Sequence, residues 1–524
     1  MGAQRRVVIF SSLALALYGF DQGMLSLVNT NTDYLHTMGL AKESPMVGVI
    51  VSVYYLAAAV GALLASKVAD TRGRKTAIYC SLILTTLGNL IMFTAGLGPL
   101  AKVSPLATMI VGRVVLGLGI GGIDAVIPVY SSELAESGSR GKALAQEFQA
   151  NIGGLNLAFA LNLVLTQTLG KTNEWAWRVP IVSMQIFPLA LLSVLHKLPE
   201  SPRYLISNSE HEAAREALET IYGEDEAESK LKSLQKSADE EGDETIDYKH
   251  MLNPKDDAFH PTVITIMGQV NQALTGIGAL SVYGPQLFEL LGRSTQVAEY
   301  LTMGNYVLYF AAMTLAWVLI DKLGRRRLLI SGAFTMAAGF LLLTVFAYLA
   351  KRYDTQALFS ILKHKKSHSG KSDNQETIQT GTSIAGIILL YAITSTFGIT
   401  SLCPCFLIPS EIFPITARAQ GSAISVVIWG ISNFAVTLMT PILFNTITYG
   451  VFAVFAATNL FSALWTWLYL PESGGRSFEE NQAFFKTASD EGSWRVKQVD
   501  KQFLGMPRDD EHQGERSRLL GRGR

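Results

Sequence analysis

Twelve blocks of about twenty mostly apolar residues, each bounded by charged or polar turns, run through this sequence. Roughly 30 Å of hydrocarbon is crossed by about 20 apolar residues in helical form, so blocks of this length read as membrane-crossing helices. In the first half they begin near Val7, Met46, Ala77, Pro105, Ala143 and Trp177. In the second they begin near Pro261, Ala298, Leu328, Thr382, Ala419 and Thr448. The expected fold is an all-α membrane protein with twelve transmembrane helices in two six-helix halves. Its divisions are an N-terminal bundle (1–197), a charged cytoplasmic linker (198–260), a C-terminal bundle (261–470) and a cytoplasmic tail (471–524). With 49% hydrophobic and only 16% charged residues, a soluble multidomain enzyme is excluded and a lipid bilayer is the expected surrounding.

Lys+Arg and Asp+Glu are 43 each, so no global basic field points to a nucleic-acid partner. The placement of charge says more. Arg5, Arg6, Lys67, Arg72, Arg74, Lys75, Arg140, Lys142, Lys322, Arg325 to Arg327 and Arg418 all fall on one side if every block spans, which puts both termini and the linker in the cytoplasm. The segment Lys351 to Gly381, with Lys363, Lys365 and Lys366, opposes this, but a long loop weighs less than short ones. The Glu/Ala/Leu/Lys-rich linker favours surface helices, and the tail is expected to lose order beyond its first turns. In that tail Glu515 to Leu520 has an acidic-dileucine pattern of the kind used in sorting. Cys80, Cys403 and Cys405 give no disulfide framework, and no metal or cofactor is expected; neither HExxH nor GxSxG nor a histidine cluster offers an enzyme.

One motif occurs twice at matching positions. Asp70-Thr71-Arg72-Gly73-Arg74-Lys75 follows the second block, and Asp321-Lys322-Leu323-Gly324-Arg325-Arg326 follows the eighth. Gly suits a turn between nearly touching helices, while Asp and Arg can bridge helix ends, hold one conformation and break in another. Further markers are Pro199-Glu200-Ser201-Pro202-Arg203, Pro471-Glu472-Ser473-Gly474-Gly475-Arg476, Gly112-Arg113 with Gly117, Gly119 and Gly121, Pro128-x-Tyr130-x-x-Glu133, Arg140-Gly141, and Pro409-Ser410-Glu411-Ile412-Phe413-Pro414 with Arg418 and Gly421.

With these motifs from about Arg6 to Glu480, the chain resembles the sugar porter family of the major facilitator superfamily. Ser66 and Trp317 stand where the family's two loop motifs usually have Gly. The resemblance implies a central cavity that opens alternately to either side as the halves rock. It implies gating by Asp70, Gly73, Arg74, Glu133, Arg140, Glu200, Arg203, Asp321, Gly324, Arg325, Glu411, Arg418 and Glu472.

Ionisable groups in hydrocarbon are costly and therefore functional candidates. Asp21 matches the acidic residue of proton-coupled members and Arg113 the arginine that pairs with it; the pair either exchanges a proton during the cycle or is a permanent structural bridge. Asp124 either lines the cavity or caps the fourth helix near its outer end. Glu147 is placed near the cytoplasmic end, within reach of water. The family's pocket signature on the seventh helix survives in Gln272, but Ala273 and Gly278 replace a Gln and an Asn. The fifth-helix Gln aligns with Phe148, or with Gln149 after a one-residue slip. Tyr309, Phe406 and Trp429 take the places of an Asn, a Trp and an Asn, while Asn433 persists. The resemblance assigns solute binding to Gln149, Gln272, Tyr283, Tyr309, Phe406, Trp429 and Asn433, the aromatics either facing the solute or packing helices. The function implied is proton-coupled transport of a sugar or sugar-like solute in the plasma membrane; the alternatives are transport of a polyol, quinate-like acid or specialised metabolite, or a nontransporting sugar receptor.

Overall fold

A computed structural model describes residues 3–41, 44–98, 103–134, 140–241, 248–362, 369–413, 415–474, 478–490 and 492–503. The first six spans are Ala3–Val28, Pro45–Arg72, Arg74–Thr94, Pro105–Leu134, Arg140–Leu169, and a sixth in two pieces, Trp175–Ser183 and Ile186–Leu195. The second six begin with Phe259–Ala273, Ile277–Val282 and Gly284–Glu289, three rods in the place of one helix. Then follow Thr295–Leu323, Arg325–Leu362, Ser369–Thr400 with Leu402–Ile412, Ile415–Ile447 and Gly450–Tyr469. Among the described residues 11 helices are long and apolar enough to cross a membrane.

The seventh of the twelve expected spans is interrupted twice. Gly276 adopts φ +84°, a left-handed conformation that stops the first rod and that side chains disfavour. Seven residues on, Tyr283 interrupts the helix before Gly284-Pro285, where the proline supplies no amide donor.

Small residues bring the spans of the N-terminal half together. A side chain at Gly117 would begin 2.5 Å from the carbonyl oxygen of Tyr54, and one at Gly121 would collide with the backbone of Ala58. The second and fourth spans therefore touch backbone to backbone, the arrangement by which small residues favour helix association in lipid. Large apolar side chains, among them Leu64, Val164, Ile186, Leu341 and Ile388, remain exposed on the outer faces. In hydrocarbon they need no protein partner.

Two expectations for the polar segments change. The tail is helical over Phe478–Asp490 and again over Val496–Phe503. Phe484, Phe485, Ala488, Val496 and Val499 pack with Met251, Ile264, Ile412 and Phe413, and His260 stacks on Trp494 at 4.7 Å, so apolar burial orders what composition alone reads as loose. The ninth and tenth spans run on as helix to Leu362 and from Ser369, shortening the expected loop between them. The linker carries the surface helices Pro202–Ser207, His211–Tyr222 and Glu224–Glu241, joined by a small cluster around Leu205, Leu218 and Leu231. Lys363, Lys365, Lys366 and the segment Glu515 to Leu520 lie outside the described residues, as do the side chains of Arg140 and Arg418.

Candidate functional site

The first and fourth spans meet at an ion pair. Arg113 Nη1 donates to Asp21 Oδ1 at 2.6 Å, and both side chains are almost wholly buried. Arg113 Nε also donates to the Ile50 carbonyl at 3.3 Å, and its guanidinium lies 4.3 Å from the centre of the Tyr54 ring. The second carboxylate oxygen of Asp21 has no partner among the described residues. One oxygen held and one free is an arrangement that can accept a proton without dismantling the bridge.

From this pair a run of rings leads to the boundary between the halves. Tyr54 meets Tyr55 edge-on at 5.2 Å, and Tyr55 meets Trp429 at 5.3 Å. Trp429, on the eleventh span, also takes the edge of Tyr18 at 5.6 Å, and Tyr18 accepts a hydrogen bond from Gln22 at 2.7 Å. Tyr18, Gln22 and Tyr55 were not foreseen from sequence. A signal existed for two of them, since Tyr18 and Gln22 are one helical turn apart in the segment that carries Asp21.

The other binding candidates divide into three settings. Gln149 donates across the halves to the Phe310 carbonyl at 3.2 Å, and Phe406 faces Phe148 across them at 4.8 Å. Asn433 and Tyr283 lie where the seventh and eleventh spans touch. Tyr283 donates to the Thr437 carbonyl at 3.2 Å, and Asn433 Oδ1 sits 2.7 Å from where a side chain on Gly278 would begin. The missing Asn of the seventh span is thus filled from the eleventh. Gln272 and Tyr309 sit inside the C-terminal half. Gln272 lines a cleft with Asn271, Ser401 and Trp465, its Oε1 without a partner, and Tyr309 is buried against Phe397.

The two repeated turns build matching networks. Arg74 pairs with Glu133 at 3.2 Å and Asp70 at 3.5 Å, while Glu200 accepts from the backbone of Arg74 and Lys75. Arg325 pairs with Glu411 at 2.8 Å and Asp321 at 3.1 Å, while Glu472 accepts from the backbone of Arg325 and Arg326. Gly73 and Gly324 hold φ +95° and +84°, and each leaves the space its Glu enters. The Arg203 side chain makes no hydrogen bond or ion pair among the described residues.

Glu147 departs from expectation, and Asp124 from one of its two readings, the helix cap. Glu147 does not reach water; it is 1% exposed and accepts a hydrogen bond from Ser131. Asp124 sits in the body of the fourth span, well away from either end.

At the end of the bundle opposite the repeated turns, the halves are tied by Lys171 Nζ and Glu299 Oε1 at 2.5 Å. No sequence signal pairs residues so far apart in the chain. Glu299 is fully buried and Lys171 about a third exposed. Lys171→Glu should open this end by placing two carboxylates together, and adding Glu299→Lys should restore closure. Accessibility of a cysteine introduced at Asn29, which is buried while this end is closed, to a membrane-impermeant thiol reagent checks this: a reversal of the change in the double variant is expected, and equal labelling of all three proteins would refute it.

The family model described as "Sugar (and other) transporter" matches residues 7–485. The chain belongs to the sugar transporter family. It is 28% identical over 506 residues to "Sugar transporter STL1" of Saccharomyces cerevisiae, covering 94% of this chain and 83% of that relative. It is 26% identical to the "Major myo-inositol transporter IolT" of Bacillus subtilis, covering 94% and 96%. The solved proton:xylose symporter XylE, bound to 6-bromo-6-deoxy-D-glucose, superimposes with a TM-score of 0.73 at 23% identity, over 92% of this chain and 99% of that one. The fold is the major facilitator fold, and the protein is a multi-pass membrane transporter, not an enzyme.

Proposed function

We propose that this protein carries a sugar or sugar-like neutral solute across the plasma membrane together with a proton, by alternating access of its two halves, with both termini in the cytoplasm. The observation that carries the reading is the continuity from Asp21 and Arg113 through Tyr54 and Tyr55 to Trp429, because it joins a protonatable pair in one half to the boundary with the other. A solute that moves Trp429 and Tyr55 would shift the guanidinium packed on Tyr54 and change how well it holds the Asp21 carboxylate. The matched turn networks supply the second element, ion pairs that hold one closure and must loosen for the other.

A polyol or specialised metabolite is the second reading, favoured by the pocket itself. Ala273 and Gly278 supply no amides, and Asn433 spends its Nδ2 on the Trp429 carbonyl. Each lost hydrogen bond to a buried hydroxyl costs about 0.5–1.5 kcal/mol, so two losses weaken a hexose that needs both by about 5- to 150-fold. Uptake of labelled hexoses, pentoses, polyols and quinate into cells lacking their own carriers separates the readings. Uptake of hexose or pentose that rises in acid medium supports the first; uptake restricted to polyols selects the second. Surface expression without uptake of any of them would refute the first reading and the polyol form of the second.

A further inference from the structure

We propose that Asp124 and Glu147 are proton-binding sites separate from Asp21, each holding a proton in this conformation and giving it up when the halves part and water enters. The fourth span places Arg113, Asp124 and Ser131 within about 20° of one another around its axis, over about 27 Å of its length. One face of a single helix therefore carries the arginine of the ion pair, then a carboxyl, then the hydroxyl that donates to a second carboxyl on the fifth span.

Both acids lack what a buried carboxylate needs. Asp124 is 3% exposed and neither of its oxygens has a hydrogen-bond partner among the described residues; Glu147 Oε2 has none there either. No lysine, arginine or histidine among the described residues pairs with either acid. An ionised carboxylate buried without a counter-charge takes up a proton rather than bear the cost of desolvation. The backbone adds to this at Asp124. Pro128 has no amide to offer the carbonyl four residues before it, which is that of Asp124, so that carbonyl lacks its helical donor.

Among the described residues the immediate surroundings of the two acids are uncharged. The first span brings Tyr18 and the second Tyr54 within electrostatic reach of Asp124, the third presents Ser81 and Thr85 to this stretch, and the eleventh presents Val426. Around Glu147 the fourth span brings Ser131 and the tenth Phe406, whose ring packs at a tilt against the adjacent Phe148. Each acid is one residue from a contact between the halves: Ala125 packs with Val426, and Phe148 with Phe406. Parting of the halves therefore uncovers both. Their use in coupling rests on the carrier reading above, whereas their protonation does not.

Infrared difference spectra of the purified full chain in lipid vesicles test this with no transported solute present, so the result stands whether or not a sugar is carried. In mildly alkaline potassium buffer the wild type should show the C=O stretch of protonated carboxyls, with one component lost in Asp124→Asn and another in Glu147→Gln. If Asp124→Asn does not fold, Asp124→Glu keeps the acid and should move its band instead. Variant spectra that superimpose on the wild type in this region would overturn the proposal, because the acids would then be ionised. Loss of the bands on exchanging potassium for sodium would overturn it too, in favour of a metal cation at the same oxygens.

Discussion

Asp21→Asn leaves the protein able to exchange labelled solute across the membrane but unable to concentrate it. The amide keeps the shape of the carboxyl and a contact for Arg113 Nη1, so the two halves can still close over a solute, while the proton-dependent change in charge beside the guanidinium is gone. A potential of 100 mV contributes about 2.3 kcal/mol per proton, which corresponds to roughly fiftyfold accumulation. The variant should lose that whole factor, and its equilibrium exchange should fall far less. Counterflow and accumulation assayed side by side in the same proteoliposomes check this. Accumulation that survives at the wild-type ratio would reduce the pair to a structural bridge, and equal loss of both activities would point to misassembly.

Arg113→Met is expected to be the most destabilising single change at the site. It removes the cation that pairs with a buried carboxylate, the donor to the Ile50 carbonyl and the cation over Tyr54 in one step. Breaking a buried pair from one side costs about 3–5 kcal/mol, because the surviving charge has no compensation. Adding Asp21→Asn should recover most of that loss, since a neutral pair of similar volume is often tolerated. Thermal unfolding of the purified single and double variants reads the difference. A double variant as unstable as Arg113→Met would place the loss in packing against Tyr54 instead of in charge.

Much of this architecture could be read from the chain because the bilayer imposes it. A helix that crosses hydrocarbon needs a long apolar run, and the turn motif at Asp70 and Asp321 announces its own duplication. The pairing of Asp21 with Arg113 followed from resemblance, and the structure brings the two into contact at 2.6 Å. What escaped was set by tertiary partners far along the chain. Lys171 finds Glu299 across the halves, Asn433 fills the space at Gly278, and Trp494 covers His260. Glu147 was misplaced for a related reason: its position near the start of the fifth span suggested water, but Ser131 on the fourth span and the packing around Phe148 seal it from solvent.

The broken seventh span bears on how the protein is made. Its three rods, Phe259–Ala273, Ile277–Val282 and Gly284–Glu289, include Gln269, Asn271, Gln272 and Thr275. A segment so interrupted and so polar gives the insertion machinery a weaker hydrophobic signal than its neighbours do. Gln269 Nε2 finds its acceptors on the Cys405 carbonyl and Ser425, and Asn459 donates to the Thr275 carbonyl, groups that emerge from the ribosome much later. These hydrogen bonds of the seventh span therefore close only after the tenth, eleventh and twelfth have been synthesised.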